Sequence, residues 1–289
     1  MTEEAWREVL VDTSWVADNL DEIARDEGPY RIVEVDVDTE AYGQGHIHGA
    51  VGWSWTEELN DPVQRDVVDR TGFEKLLSRS GIDNDATVLL YGDTDNWFAA
   101  FAFWLLKFYG HRKVQLVDGG RKKWTDEGRP LETEVPTFAP RQYEVLEVHE
   151  DLRAYRPDVE RAIERNTPLI DVRSPAEYTG EILAPPGLAE TAQRGGHIPG
   201  ALSVPWSKAV KEDGTFKALD ELEKVYLKDA GLQGEEVIAY CRIGERSSHT
   251  WFALKYLLGL RNVKNYDGSW TEWGNLVRAP VVTGELPQE

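Results

Sequence analysis

Tyr91 to Trp124 can be laid on Tyr240 to Trp273 without a gap, at a constant offset of 149 residues. Nine of the 34 aligned positions are identical: Tyr91/Tyr240, Phe103/Phe252, Leu105/Leu254, Gly110/Gly259, Arg112/Arg261, Val114/Val263, Asp118/Asp267, Gly119/Gly268 and Trp124/Trp273. Common residues recurring at up to ~7% each supply about two or three such matches by chance. A second echo sets Gly45-His46-Ile47-His48-Gly49-Ala50 against Gly196-His197-Ile198-Pro199-Gly200-Ala201 at the similar offset of 151. Two half-length copies of one domain account for both. The 289 residues agree, because a single core stops growing near ~250–300 residues. Between the copies, Pro136-Thr137-Phe138-Ala139-Pro140 carries two prolines that break regular structure. The expected division is therefore a domain over 1–138, a linker over 139–149 and a second domain over 150–289.

Each copy alternates strand and helix signals. In the second, Pro168 to Val172 and Glu236 to Tyr240 are short apolar runs that read as buried strands. Ser247 to Leu258 has a helical pattern with a broad apolar face, Gly259 is placed to stop it, and Asn262 to Gly268 reads as a strand and its turn. The first copy repeats this with Thr87 to Tyr91, Trp97 to Phe108 and Lys113 to Asp118. Strand, helix and strand in alternation predict an α/β fold, each domain a parallel sheet flanked by crossover helices.

The charge narrows the partners. Lys and Arg total 32 against 52 Asp and Glu, a net charge of −20 that would repel nucleic-acid phosphates. The acids are spread along the chain, which suits a solvated surface and resembles proteins of salt-rich cytoplasm. No apolar run approaches the ~18 residues of a membrane span, so no membrane partner is expected. The opening Met1-Thr2-Glu3-Glu4-Ala5-Trp6 lacks a positive n-region followed by an apolar h-region, so a cytoplasmic location is expected. The one cysteine, Cys241, excludes an internal disulfide and a multi-cysteine zinc site, and neither metal nor cofactor is expected.

Cys241 follows the strand 236–240 directly and precedes a helix, the place where open α/β sheets bind ligands. Arg242-Ile243-Gly244-Glu245-Arg246-Ser247 is short enough to bend its amides around one point. Free N–H groups at a helix start favour an anion, Arg242 and Arg246 add positive charge, Gly244 allows a positive-φ turn, and Ser247 can cap the helix. These features are expected to lower the thiol pKa. Phosphate-ester hydrolysis uses a Cys-x5-Arg loop; here the spacing is Cys241-x4-Arg246, a tighter loop that suits one extra sulfur atom, held as a persulfide.

The loop from Cys241 to Ser247 resembles the active-site loop of the rhodanese family, in particular its tandem-domain thiosulfate sulfurtransferases. Asp171-Val172-Arg173-Ser174-Pro175-Ala176-Glu177-Tyr178, the Gly196 to Ala201 segment and Asp267-Gly268-Ser269-Trp270-Thr271-Glu272-Trp273 resemble the family's other signatures. The resemblance implies two rhodanese-like domains with only the second catalytic; Gly92 stands opposite Cys241, in the acidic loop Gly92-Asp93-Thr94-Asp95-Asn96-Trp97. It implies that Cys241 takes the outer sulfur of thiosulfate and passes it to a thiophilic acceptor, either cyanide, a cellular thiol or a sulfur-accepting protein. Residues Arg242, Ile243, Gly244, Glu245, Arg246 and Ser247 would hold the persulfide and the donor, although an arginine could instead pair with an acid such as Glu245. Asp171 and Arg173 are expected as a supporting pair beneath the loop, and His197 as a turn residue. Some relatives carry a substrate-binding Arg where this chain has Glu177, and Arg194 is the substitute anchor considered. Transfer from 3-mercaptopyruvate is the competing activity, and a persulfide carrier serving a partner protein the competing class.

Overall fold

The computed structural model describes residues 2–185, 192–232 and 236–285. The first half builds a five-stranded sheet whose spatial order is Leu10–Val11, Val114–Val117, Thr87–Tyr91, Tyr30–Asp36 and Val51–Ser54, every neighbouring pair parallel. The second half builds a four-stranded parallel sheet in the order Asn262–Tyr266, Glu236–Tyr240, Leu169–Asp171 and Leu202–Ser203. Parallel neighbours need crossovers, and helices supply them, so the expected α/β architecture is present in both halves.

The expected strands form within a residue or two of the apolar runs, because these runs are buried on both faces of their sheets. Val88, Leu89, Leu90, Val237, Ile238 and Ala239 are all at most 1% exposed. The helix Trp97–Phe108 begins and ends as its sequence pattern indicates, and ten of its twelve residues are buried. A helix apolar all round must be a core element, and burying each large side chain contributes about 1.5–3 kcal/mol. Its counterpart departs from expectation at the start. It runs Glu245–Phe252 and continues as a wider turn through Ala253–Leu257, with Gly244 as its N-cap at φ 102°. Ser247 is therefore inside the helix and not its cap.

The chain divides into two units, one holding Glu4–His149 together with Lys211–Phe216, the other holding Glu150–Val210 and Lys217 onward. Residues 139–149, expected as the linker, contain no helix or strand and belong to the first unit. They are tied there by side chains: Arg141 reaches Asp83 at 3.2 Å, and Asn84 exchanges hydrogen bonds with the Glu144 backbone. No helix among the described residues is long and apolar enough to cross a membrane.

Strand order decides where a ligand can sit. In the second sheet the chain runs from Leu169–Asp171 outward to Leu202–Ser203, then returns to place Glu236–Tyr240 on the other side of its first strand. The crevice at the carboxyl ends of these two adjacent strands is the topological switch point. Cys241 follows one of them and Arg173 the other.

Candidate active site

Cys241 is completely buried. Its own amide donates to Ser269 Oγ at 3.0 Å, and its carbonyl accepts from the Trp270 amide at 3.1 Å. The Arg242 carbonyl accepts from both the Thr271 amide and the Thr271 hydroxyl, at 3.0 and 2.8 Å. The loop is thus laced to the segment after the strand Asn262–Tyr266. Ser269 holds φ 51°, rare for a residue with a side chain, so the fold maintains a left-handed turn to present that hydroxyl. Gly244 has a compulsory role: at φ 102°, a Cβ there would meet Asp267 Cα at 3.0 Å. Asp267 cannot yield easily, because Arg153 grips both its oxygens at 2.8 Å.

Around the sulfur, the Gly244 amide donates to Sγ at 3.2 Å, and the Ser247 hydroxyl lies at 3.5 Å. The Ser247 hydroxyl is also 2.6 Å from Asn265 Oδ1, and Asn265 Nδ2 donates to Ser248 Oγ at 2.8 Å. The other side of Sγ faces a carboxylate: the thiol donates to Glu245 Oε2 at 3.2 Å, which also accepts from the Ile243 amide at 3.3 Å. Arg246 Nε is 3.4 Å and Arg242 Nη2 3.9 Å from Glu245 Oε1.

This arrangement reverses one expectation. Burial first, and the Glu245 charge second, push the Cys241 thiol above its ordinary value, against the pull of Arg246 and Ser247. The basic loop does not leave a ready thiolate, because one of its own carboxylates faces the sulfur and water is excluded.

The arginines are also redistributed. Arg246 directs Nη1 and Nη2 to the two oxygens of Glu177 at 2.9 and 3.0 Å, a buried bidentate pair. Glu177 also closes the first turn of the helix Pro175–Thr179, accepting from the Ser174 amide and hydroxyl at 3.0 and 2.9 Å. Burial pushes the Glu177 carboxyl up, but the Arg246 bond outweighs it and holds the group below its usual range. The departure at Glu177 and the retained Arg246 are therefore two halves of one pair. Arg246, expected to hold the donor, thus has its planar fork engaged by Glu177.

Arg194, the substitute anchor considered, is engaged as well. Its guanidinium donates to the carbonyls of Gly274, Ala279, Trp273 and Leu276 at 2.7–3.0 Å, so it staples the C-terminal segment and is spent on backbone. Asp171 and Arg173 meet as a supporting pair, 2.6 Å apart at closest, and Arg173 lies over the Trp270 ring at 4.5 Å. His197 stacks on Tyr178 at 3.6 Å with its Nδ1 2.8 Å from the Tyr178 carbonyl, which is a turn-building role. His46 does the same on Tyr42 in the first half.

Ser269, Asn265, Thr271 and Asp267 complete the site without having been singled out as site residues. A sequence signal did exist for Ser269: it follows the Asp-Gly that both copies share, where the first copy has Gly120, and both positions prove to take positive φ, 51° and 56°. No group of three or more His, Cys, Asp or Glu side chains placed for a metal occurs among the described residues.

Comparison with known proteins agrees with the two-copy reading. The family profile of the Rhodanese-like domain matches twice, at residues 13–127 and 156–276. A Haloferax volcanii protein named "Putative thiosulfate sulfurtransferase" is 56% identical over 96% of this chain and 97% of its own length. A Thermus thermophilus protein named "Sulfur carrier protein TtuD" is 52% identical over 96% of this chain and 98% of its own. Among solved structures, wild-type EanB superposes with a TM-score of 0.83 at 24% identity, over 97% of this chain and 70% of that one, a likeness of fold. Two matched domains, with full-length relatives above half identity, leave one assignment: the chain belongs to the rhodanese family.

Proposed function

We propose that this protein is a thiosulfate sulfurtransferase working through a persulfide on Cys241. The supporting observation is the setting of that sulfur: a lone cysteine at the switch point of the sheet, with the Gly244 amide donating to it at 3.2 Å. Cys241 attacks the outer sulfur of thiosulfate, sulfite leaves, and a thiophilic acceptor, cyanide or a cellular thiol, then removes the bound sulfur in a ping-pong cycle. An amide aimed at the sulfur favours the charge it carries in the loaded state. Arg242 is the donor's sulfonate anchor, since Arg246 is committed to Glu177. The first domain, with Gly92 opposite Cys241, takes no part in the chemistry.

Relatives named for thiosulfate transfer support this reading, and comparing kcat/KM for thiosulfate and 3-mercaptopyruvate tests the choice of donor. The Thermus relative named as a sulfur carrier favours a second reading, delivery of the persulfide to a partner protein. The deciding experiment is whole-protein mass after adding thiosulfate alone. A gain of one sulfur atom, absent from Cys241→Ser and lost on adding cyanide, is the expected result; no gain would sink the proposal. A sulfur that stays in place with cyanide and small thiols, yet leaves with an acceptor protein, would select the carrier reading.

A further inference from the structure

A carboxylate is an odd neighbour for a sulfur that must become an anion. Glu245 is 1% exposed, its Oε2 accepts the Cys241 S–H at 3.2 Å, and no water intervenes at that distance. Like charges that close in a buried site disfavour each other, and a carboxylate in hydrogen-bond contact with the thiol is placed to take its proton. The repeat adds an independent observation. At the 149-residue offset Cys241 becomes Gly92 and Glu245 becomes Asn96, so thiol and carboxyl are absent together from the first copy.

Resting on the sulfurtransferase reading, we infer that Glu245 is the proton acceptor for Cys241 and keeps that proton within the site for the whole cycle. As the Sγ–H bond breaks, the proton moves to Glu245 Oε2, and the freed sulfur pair attacks the outer sulfur of thiosulfate. The S–S bond of thiosulfate breaks with its electron pair leaving on sulfite. The negative charge lost by the carboxylate reappears on the persulfide, so the site's charge is unchanged. When the acceptor takes the outer sulfur, Cys241 departs as thiolate and recovers the proton from Glu245. Neither half-reaction needs a proton from solvent.

The surrounding charges suit a carboxyl that alternates. Arg246 Nε and Arg242 Nη2 face Oε1, and the Ile243 amide donates to Oε2 at 3.3 Å, so both carboxyl oxygens are held in place beside the thiol. The charged groups on neighbouring elements are already matched: Glu177 with Arg246, Asp267 with Arg153, and Asp171 with Arg173. His249, one turn along the helix, is kept neutral by burial, which pushes it down to about 3.

The test is the pH profile of single-turnover persulfide formation between about pH 6 and pH 8, with alkylation of Cys241 by iodoacetamide as a readout that needs no sulfur donor. Because a general base contributes ~10²–10⁴-fold, the wild-type rates should be nearly flat with pH, while E245Q should rise about tenfold per unit and fall at least about tenfold below wild type at pH 6. E245D, which retains the carboxyl, should restore the flat profile. A flat profile in folded E245Q, or a wild-type rate that itself rises tenfold per unit, overturns the proposal, and the second result does so even if E245Q fails to fold. Should thiosulfate load no sulfur while alkylation shows the contrast, the sulfurtransferase reading falls and the Cys241–Glu245 pair stands. Normal loading with coincident profiles does the opposite.

Discussion

The loops at residues 92–96 and 241–245 occupy the same place in the same fold, and only one carries a thiol. Each follows a central strand, Thr87–Tyr91 or Glu236–Tyr240, and leads into a buried helix. In the second, the sulfur lies between an amide, a hydroxyl and a carboxylate. In the first, Asn96 folds inward, its Oδ1 accepting from the Gly92 amide at 3.0 Å and its Nδ2 donating to the Val117 carbonyl at 2.8 Å. The turn is made by Thr94, Asp95 and Asn96, all at positive φ. The groundwork beneath the loops is preserved by different residues. Glu34 pairs with Tyr91 in the sheet as Asp171 pairs with Tyr240. Arg173 stands two positions beyond Asp171 and donates to the Gly196 carbonyl at 2.7 Å; in the first copy Arg121 pairs with Glu34 and donates to the matching Gly45 carbonyl at 2.5 Å. A cation is required at that point by the fold, whichever segment delivers it. The reactive loop is an addition to a framework that stands without it.

The sharpest way to break this comparison is to exchange the loop's chemistry. Cys241→Ser should abolish sulfur uptake entirely while leaving the circular dichroism unchanged, because no other thiol exists. Gly92→Cys should not create a second labile sulfur, and it should destabilise the first domain, since a Cβ there would come within 2.4 Å of the Val35 carbonyl oxygen. Two labile sulfurs per chain in that variant would show that the framework alone suffices.

Next in size is the pair that one copy has and the other lacks. Arg246→Ala leaves the Glu177 carboxylate buried without its partner, an expected loss of about 3–5 kcal/mol in chemical denaturation. The folded Glu177 carboxyl sits below its unfolded value, so its contribution is complete above about pH 4.5 and fades as pH falls through the lower folded value. An Arg246→Ala variant that matches wild-type stability at pH 7 would mean that Arg246 is free for the donor after all. Arg242→Ala should then cost about 1.5–3 kcal/mol, roughly ten- to a hundredfold, in kcat/KM for thiosulfate, mostly through KM. An unchanged KM would move the anchor elsewhere.

The smallest effect concerns the first copy's substitute groundwork. Burial, then Glu34 and Asp93, push the Asp36 carboxyl above the usual carboxylate range. A folded value above the unfolded one means that this group lowers stability as pH rises past its unfolded value, the loss ceasing above the folded one. Asp36→Asn keeps an oxygen for the Asp93 amide, 3.0 Å away, and removes that dependence. It should raise stability at pH 7 by about 1 kcal/mol, with no gain near pH 4. A variant less stable at both pH values would indicate that Asp36 is ionised and needed in that form.

Much of this protein was determined by the order of residues alone. The repeat divides the chain, and its apolar runs set the strands and the helix Trp97–Phe108, because burial is a local property of a run. The position of Cys241 after a strand placed it at the carboxyl end of the sheet. Neighbours in sequence also declared themselves: Asp171 with Arg173, and Gly244 as the turn. Tertiary structure decided whatever depends on which distant groups meet. Arg246 finds Glu177 across 69 positions, and Arg194 finds carbonyls about 80 positions away, so two arginines that read as anchors have their donors engaged within the chain. The direction of the Cys241 thiol's shift was settled in the same way. A sequence shows that Glu245 is four residues from Cys241, but only packing turns its carboxylate to the sulfur and removes the water that would have screened it.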